Sequence, residues 1–377
     1  MFRLTKKFMK ILIAGDFVPQ LRVSEQIASN DFSCIEEIKP IVKLADYSLV
    51  NFESPVVEHN VRPIEKAGPN LRCSEKAMAC ITKAGFNCVT LANNHFLDYG
   101  GVGVQDTINA CKSNDVDWLG GGEDLEQAST TLFKIIKGKT VAFINCCEHE
   151  FSIATENGPG SNPLNPIRQY YAIQEAKIKA DHIIVIVHGG HEMYQLPSPR
   201  MVETYRFFID AGADAVINHH QHCFSGYEIY KEKPIFYGLG NFCFDLDLRN
   251  HIWNKGYLVM LEFDEKISFC IYPYLQCDEM PIVKCLEADA FDRDLDRLNS
   301  IISDRKMLVQ EMNKFFNSCQ MSYQNILEPI RNKYFLACIR RGIFPYFISK
   351  DRKLQAEDYI CCESLRDGFF NYFTSKR

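Results

Sequence analysis

Three histidines in four residues, His219, His220 and His222, follow the apolar run 215–217 in DAVINHHQH. Imidazoles crowded at the end of a buried strand are seldom core residues, because each ring nitrogen needs a partner once it leaves water. Four other apolar runs end in similar chemistry. ILIAGD ends in Asp16, SLVNFE in Asn51 and Glu53, and CVTLANNH in Asn93, Asn94 and His95, with Asp98 following. IIVIVHGGHE ends in His188, His191 and Glu192. Imidazole nitrogens, carboxylates and amide oxygens are the ligands of hard-to-borderline divalent cations. Brought together, five such termini can hold two ions that share a bridging carboxylate, a centre that activates water and neutralises an anionic group under attack. The imidazole-rich set favours manganese, iron or zinc over calcium.

Each motif has an ordinary reading beside the chemical one. A Gly-Asp pair after a strand is commonly a turn or a helix cap, and the acid of NFE could belong to a solvated loop. The run NNHxxD is more specific, since two adjacent amides before a histidine are costly to bury without partners. Jointly and in this order, the five termini favour a metal site.

The elements that must position these residues alternate along the first two thirds of the chain. Residues 10–14, 47–51, 88–92, 140–146, 182–187 and 215–217 read as strands. Several are continuously apolar, as strands covered on both faces are. Helical patterns fall between them, at 35–45, 74–84, 103–113, 169–180 and 200–211. Gly85 and Gly212 stand where helix C-caps belong. Strand–helix alternation predicts a layered α/β domain, in which sites form beyond the carboxyl ends of the strands. From about Gly226 the segments 227–230, 234–237, 257–263 and 268–274 read as an antiparallel set completing a second sheet or one edge. Phe291, Leu295, Leu298, Ile301 and Ile302 then share one helical face. The stretch 314–377 is aromatic-rich and takes no clear assignment. The loops 54–70 and 148–166 are long and polar, and loops of that length are more often functional than idle.

Composition narrows the partners. The chain has 377 residues, 46% hydrophobic and 24% charged, with 42 basic and 48 acidic residues and a net charge of −6. That balance excludes an electrostatic case for nucleic acid or for an anionic membrane. It leaves room for an anionic or polymer-precursor substrate held by metal. No run of about 18 apolar residues is present, so no stable membrane insertion is expected. The opening MFRLTKKFMKILIAGD begins with charge like a signal peptide, but its apolar run is short and Asp16 ends it. The 16 cysteines include no CxxC pair and mostly sit in apolar runs. They read as small core residues kept reduced in a cytoplasmic protein.

The order of the motifs resembles the calcineurin-like metallophosphoesterase series: Asp, an acid, Asn-His, His, then His-x-His. The stretch GADAVINHHQHCFSGYEIYKEKPIFYGLGNFCFD, with VHGGHE and LANNHFLDYG, more closely resembles the bacterial capsule-biosynthesis CapA family, named for poly-γ-glutamate synthesis. The resemblance covers residues 10–245. It implies a four-layer α/β/β/α sandwich over 8–285, followed by a mainly helical C-terminal extension over 286–377. It further implies that Asp16 and His222 bind one metal, that Asn94, His188 and His220 bind a second, and that Glu53 bridges them. His95 would lie beside the metals and stabilise or protonate the leaving oxygen. Asp98 and Glu192 would orient histidines or loops, Asn241 would close the site floor, and His219 and His191 would sit nearby. The chain departs from the wider pattern at Val18, where a histidine is usual, and at Asn218 and Gln221, where glycine and proline are usual.

Three functions fit this reading. The first is a metal-dependent phosphoesterase-like hydrolase linked to capsule or cell-surface polymer biosynthesis. The second is a non-catalytic or amide-directed component of poly-γ-glutamate or polysaccharide assembly. The third is an interaction scaffold with a relic metal site.

Overall fold

The computed structural model describes residues 8–246, 252–319 and 349–374. The charged opening residues 1–7, and the 320–348 part of the unassigned stretch, lie outside the described residues. Strands β1 (Met9–Val18), β2 (Tyr47–Phe52), β3 (Cys88–Thr90) and β4 (Asp117–Leu119) are parallel neighbours in the first sheet. Helices α1 (Leu21–Ala28), α2 (Lys39–Val42), α3 (Lys76–Ala84) and α4 (Gly100–Ser113) connect them. The helix expected over 35–45 is broken into a 3₁₀ turn at Ser33–Ile35 and the four-residue α2. Pro40 accounts for the break: it lacks an N–H and is tolerated only in a helix's first turn, where it stands.

A two-stranded ribbon pairs β5 (Gly121–Gly122) with β8 (Gly160–Ser161), beside the short helix α5 (Leu125–Ala128). The second sheet has the order β11-β12-β10-β9-β7-β6. Its members are β6 (Leu132–Ile136), β7 (Lys139–Cys147), β9 (His182–His188), β10 (Ala215–His219), β11 (Tyr227–Tyr230) and β12 (Lys233–Phe236). Helices α6 (Pro166–Lys179) and α7 (Pro199–Ala211) lie between the parallel strands of this sheet in sequence. Strand β13 (Asn241–Phe244) pairs with the end of β1. Strands β14 (Lys255–Phe263), β15 (Ile267–Gln276) and β16 (Val283–Cys285) extend the first sheet beyond β1 in antiparallel fashion. The late strands are thus divided between the two sheets, and β12 runs parallel to β10.

The layers follow from side-chain alternation. In β1, Ile11 and Ile13 join the core shared with the second sheet, while Leu12 and Ala14 join the core under α1, α3 and α4. The same alternation divides Leu49 from Val50 and Tyr257 from Leu258. Tyr47 of β2 meets Phe143 of β7 across the two sheets at 5.5 Å between ring centroids. Strand β9 is apolar on both faces because Ile173 of α6 and Tyr205 of α7 pack in the same cluster as Ile183–Val187. This is the four-layer α/β/β/α sandwich expected of the calcineurin-like metallophosphoesterase fold.

The C-terminal part is helical where described. Helix α8 (Asp292–Ser303) buries Leu295, Leu298, Ile301 and Ile302, as their spacing predicts, and Phe291 immediately before it. Helices α9 (Arg305–Ser318), α10 (Lys350–Cys361) and α11 (Glu363–Thr374) follow. Among the described residues no helix is long and apolar enough to cross a membrane.

Candidate metal centre

The cluster is assembled where strands of both sheets end. Register places Asp16 beside Asn51 across β1 and β2, and His219 beside His188 across β10 and β9. Strand β13 pairs in parallel with the end of β1 and sets Asn241 against Asp16. That close approach needs glycine at position 15, since a Cβ there would stand 1.9 Å from the Gly240 carbonyl oxygen. His220 and His222 follow β10 in the left-handed region, at φ 89° and φ 54°. Such backbone costs on the order of 1–3 kcal/mol per residue and tends to gather at functional sites.

Asp16, Glu53, Asn94, His188, His220 and His222 all lie in this one buried cluster. The ligand-capable atoms of Asp16, Glu53 and His222 fall within 4.8 Å of one another, as do those of Glu53, His188 and His220. Glu53 therefore belongs to both groups. Asn94 joins the second, its Oδ1 3.0 Å from His188 Nε2. A third group within the same limit of 4.8 Å joins Glu192 to His220 and His222, so Glu192 is itself within ligand reach.

The polar atoms fit a cation. His188 Nε2 lies 3.0 Å from Asn94 Oδ1, 3.1 Å from His220 Nδ1 and 3.5 Å from Glu53 Oε1. One ring nitrogen carries at most one proton and cannot serve all three. Glu53 Oε1 is buried and has no hydrogen-bond partner. A carboxylate oxygen left so, with His222 Nε2 at 3.7 Å on its other side, suits a positive charge among nitrogen and oxygen donors.

Electrostatics agree with crowded carboxylates. Burial, and then the nearby Asp16 charge, hold the Glu53 carboxyl well above its ordinary pKa. Burial works against the Asp16 carboxylate, but a hydrogen bond from His222 and the His219 ring hold its pKa low. Burial also opposes charge on His222, yet Glu53 and Asp16 push that ring up to about 10. Burial, and then His220, lower His188 well below its usual value.

Surrounding residues orient the cluster. Asn51 donates from Nδ2 to Asp16 Oδ1 at 2.7 Å and stands 3.2 Å from His188 Nδ1. Asn241 Oδ1 is 2.9 Å from His222 Nδ1, which leaves Nε2 facing Glu53. His219 turns the other way, with Nε2 3.0 Å from the Ala14 carbonyl. His191 is buried between Phe315 and Phe316. His95 keeps Nδ1 on Asp98 Oδ2 at 2.7 Å, and Lys66 pairs with Asp98. Burial pulls the His95 ring down to about 4, against the Asp98 hydrogen bond, which favours the charged ring.

Asn51, noted at its strand end, belongs to this site, and so do Lys66 and Glu150, which were not among the residues picked from the sequence as site-forming. Lys66 and Glu150 do fall in the two long polar loops, which is the signal that could have found them. Glu150 Oε1 lies 3.4 Å from His220 Nε2, and burial, then Glu192, raise its carboxyl to about 7.

Residues 10–246 match the family described as Bacterial capsule synthesis protein PGA_cap. The chain is 37% identical over 216 residues to the capsule biosynthesis protein CapA of Bacillus anthracis, covering 55% of this chain and 53% of that one. It is 32% identical over 247 residues to the PGA biosynthesis protein CapA of Bacillus subtilis, covering 64% and 63%. The matches thus span between about half and two thirds of these relatives. Among solved structures, the 5'-nucleotidase precursor of Thermus thermophilus aligns with a TM-score of 0.44 at 12% identity, over 77% of this chain and 58% of that one. The 5'-nucleotidase of Candida albicans aligns with a TM-score of 0.42 at 10% identity, over 81% and 57%.

Proposed function

This chain belongs to the bacterial capsule synthesis protein PGA_cap family, and from that premise we propose that it is a metal-dependent phosphoesterase-like hydrolase acting on an anionic precursor of a cell-surface polymer. The observation that carries the reading is Glu53, whose one carboxylate belongs to two ligand-capable groups. Asp16 and His222 would hold one divalent ion, and Asn94, His188 and His220 a second, with Glu53 between them. Manganese, iron or zinc suits this donor set. Such ions supply Lewis acidity, which neutralises a phosphoryl group and makes water a better nucleophile.

The chain's own residues do the rest. Asn51 and Asn241 hold Asp16 and His222 in place. His95 lines the cavity over the cluster. With Nδ1 held by Asp98, its Nε2 is the atom placed to hold a proton at the leaving oxygen. The Asp98 carboxylate favours the imidazolium whenever it forms.

The test is an assay of manganese-loaded protein with p-nitrophenyl phosphate and bis(p-nitrophenyl) phosphate, beside Glu53→Gln. Metal-dependent turnover lost in Glu53→Gln supports the reading. A metal-loaded protein that cleaves neither ester sinks it. The relatives' names favour one alternative, an amide-directed or non-catalytic component of poly-γ-glutamate assembly. Release of glutamate from a γ-glutamyl oligomer by the same preparation would support that alternative.

A further inference from the structure

The C-terminal helices follow the segment matched to the family, 10–246, yet they wall the cleft above the histidine cluster. A cavity of about 340 Å³ is lined by Asn94, His95 and His220 and also by Gln355, Asp358 and Tyr359 of α10. The helices are fastened there. Arg200 of α7 donates from Nε to Asp367 Oδ2 at 2.8 Å and from Nη2 to Ser364 Oγ at 3.3 Å. The His149 backbone N–H donates to Glu363 Oε2 at 3.0 Å. Tyr194 stacks on Phe315 of α9, ring centroids 4.1 Å apart. Lys350 at the start of α10 pairs with Glu65 in the loop that carries Lys66.

The charge on this side is one-signed. Glu150, Glu192 and Asp358 all line the cavity, and among the described residues no lysine or arginine pairs with any of them. Lys66, the cavity's own lysine, is taken by Asp98. Asp358 Oδ1 is enclosed and has no hydrogen-bond partner. A carboxyl oxygen shut away from water calls for a donor, best a charged one. The cleft thus offers a cation-binding centre for an ester anion and, in the same cavity, the unpartnered Asp358 carboxyl oxygen. Its volume suits a small molecule or a chain end, and not the interior of a long polymer.

We infer that α10 makes this cleft selective for a small phosphoester whose alcohol portion carries an ammonium group, with Asp358 as a specificity-determining residue. The inference rests on the phosphoesterase reading of the cluster, and the test separates the two. Full-length manganese-loaded protein, wild type and Asp358→Asn, is titrated calorimetrically with phosphoethanolamine, with ethyl phosphate, which lacks the amine, and with 2-hydroxyethyl phosphate. Phosphate release from each ester and manganese content are measured in parallel.

The wild type should bind phosphoethanolamine roughly tenfold more tightly than ethyl phosphate, the value of one charge-assisted hydrogen bond. Asp358→Asn should erase that preference, leave ethyl phosphate binding near wild type and keep the manganese. Equal binding of the two esters by the wild type, including no binding of either, overturns the inference. So does an equal loss for both esters in Asp358→Asn, or a loss of manganese, which would make Asp358 a ligand. A preference for 2-hydroxyethyl phosphate as large as that for phosphoethanolamine overturns the ammonium assignment. Selective binding without phosphate release keeps the selective wall and sinks the phosphoesterase reading, while release without selectivity does the reverse.

Discussion

His188 and His220 face each other with ring nitrogens 3.1 Å apart, Nε2 against Nδ1, at the ends of neighbouring parallel strands. Burial lowers the pKa of both rings, so two neutral imidazoles aim their nitrogens at one region. His219, the next residue back, sends its Nε2 to the Ala14 carbonyl instead. His220→Ala should therefore lower metal affinity more than His219→Ala, whose loss should stay on the order of 10- to 100-fold, as for residues that orient ligands. Titration calorimetry with manganese decides it. Equal losses would mean that His219 is the ligand or that neither is.

Metal removal should cost stability. Ions bound only by the native state at about 100 times their dissociation constant add roughly 2.7 kcal/mol. They would also offset the left-handed backbone at His220 and His222. Exhaustive chelation should lower the thermal midpoint by several degrees, and manganese should restore it. A midpoint indifferent to chelation, in protein shown to hold metal beforehand, would remove this coupling.

His95→Ala should lower turnover by roughly 10²- to 10⁴-fold, the usual contribution of a positioned acid or base, and leave metal content near wild type. The defect should shrink with an aryl phosphate, whose leaving group needs little protonation. Metal stripped from His95→Ala would instead make the ring a ligand.

Gly15→Ala should destabilise the protein by at least about 3 kcal/mol, the upper end for an overpacked core, because the added methyl meets backbone and not a movable side chain. The urea midpoint measures the loss. Metal uptake should fall with it, since Asp16 is the next residue.

The pair His149–Glu363 ties α11 to the start of the loop carrying Glu150. Its hydrogen bond, opposed by partial burial, raises the His149 pKa above 6.5. A raised histidine contributes stability that is fully present below the unfolded pKa of about 6.5 and lost as pH rises through the folded value. The thermal midpoint of wild type should exceed that of His149→Gln most below pH 6.5, and the gap should close at higher pH. A gap that widens with pH would reverse the sign and exclude the charged pair.

Much of the site was legible because its parts obey local rules. Continuous apolar runs such as Ile183–Val187 could be recognised as strands covered on both faces, and His188 then had to fall at a strand end. A layered α/β domain followed from the alternation of strands and helices, and its division into four layers from the family resemblance. Other features were out of reach. The short strand β4 carries too few residues for a periodic signal, and β6 is only half buried. The helix expected over 35–45 is broken because Pro40 can stand only in a first turn, which leaves α2 four residues long.

The sequence by itself determined that Asp16, Glu53, Asn94, His188, His220 and His222 would stand at strand ends, because a strand's polar terminus is a property of the strand. Only the tertiary structure decided that Glu53 belongs to two groups at once and that His219 turns away while His220 turns in. Only it placed Lys66 behind His95, and Asp358 in the lining of the same cavity as a cluster far earlier in the chain. Those relationships depend on sheet register, on the parallel pairing of β13 with β1 beside Gly15 and on the docking of α10 and α11. Each is a contact between residues far apart in the chain, and local periodicity carries no information about such contacts.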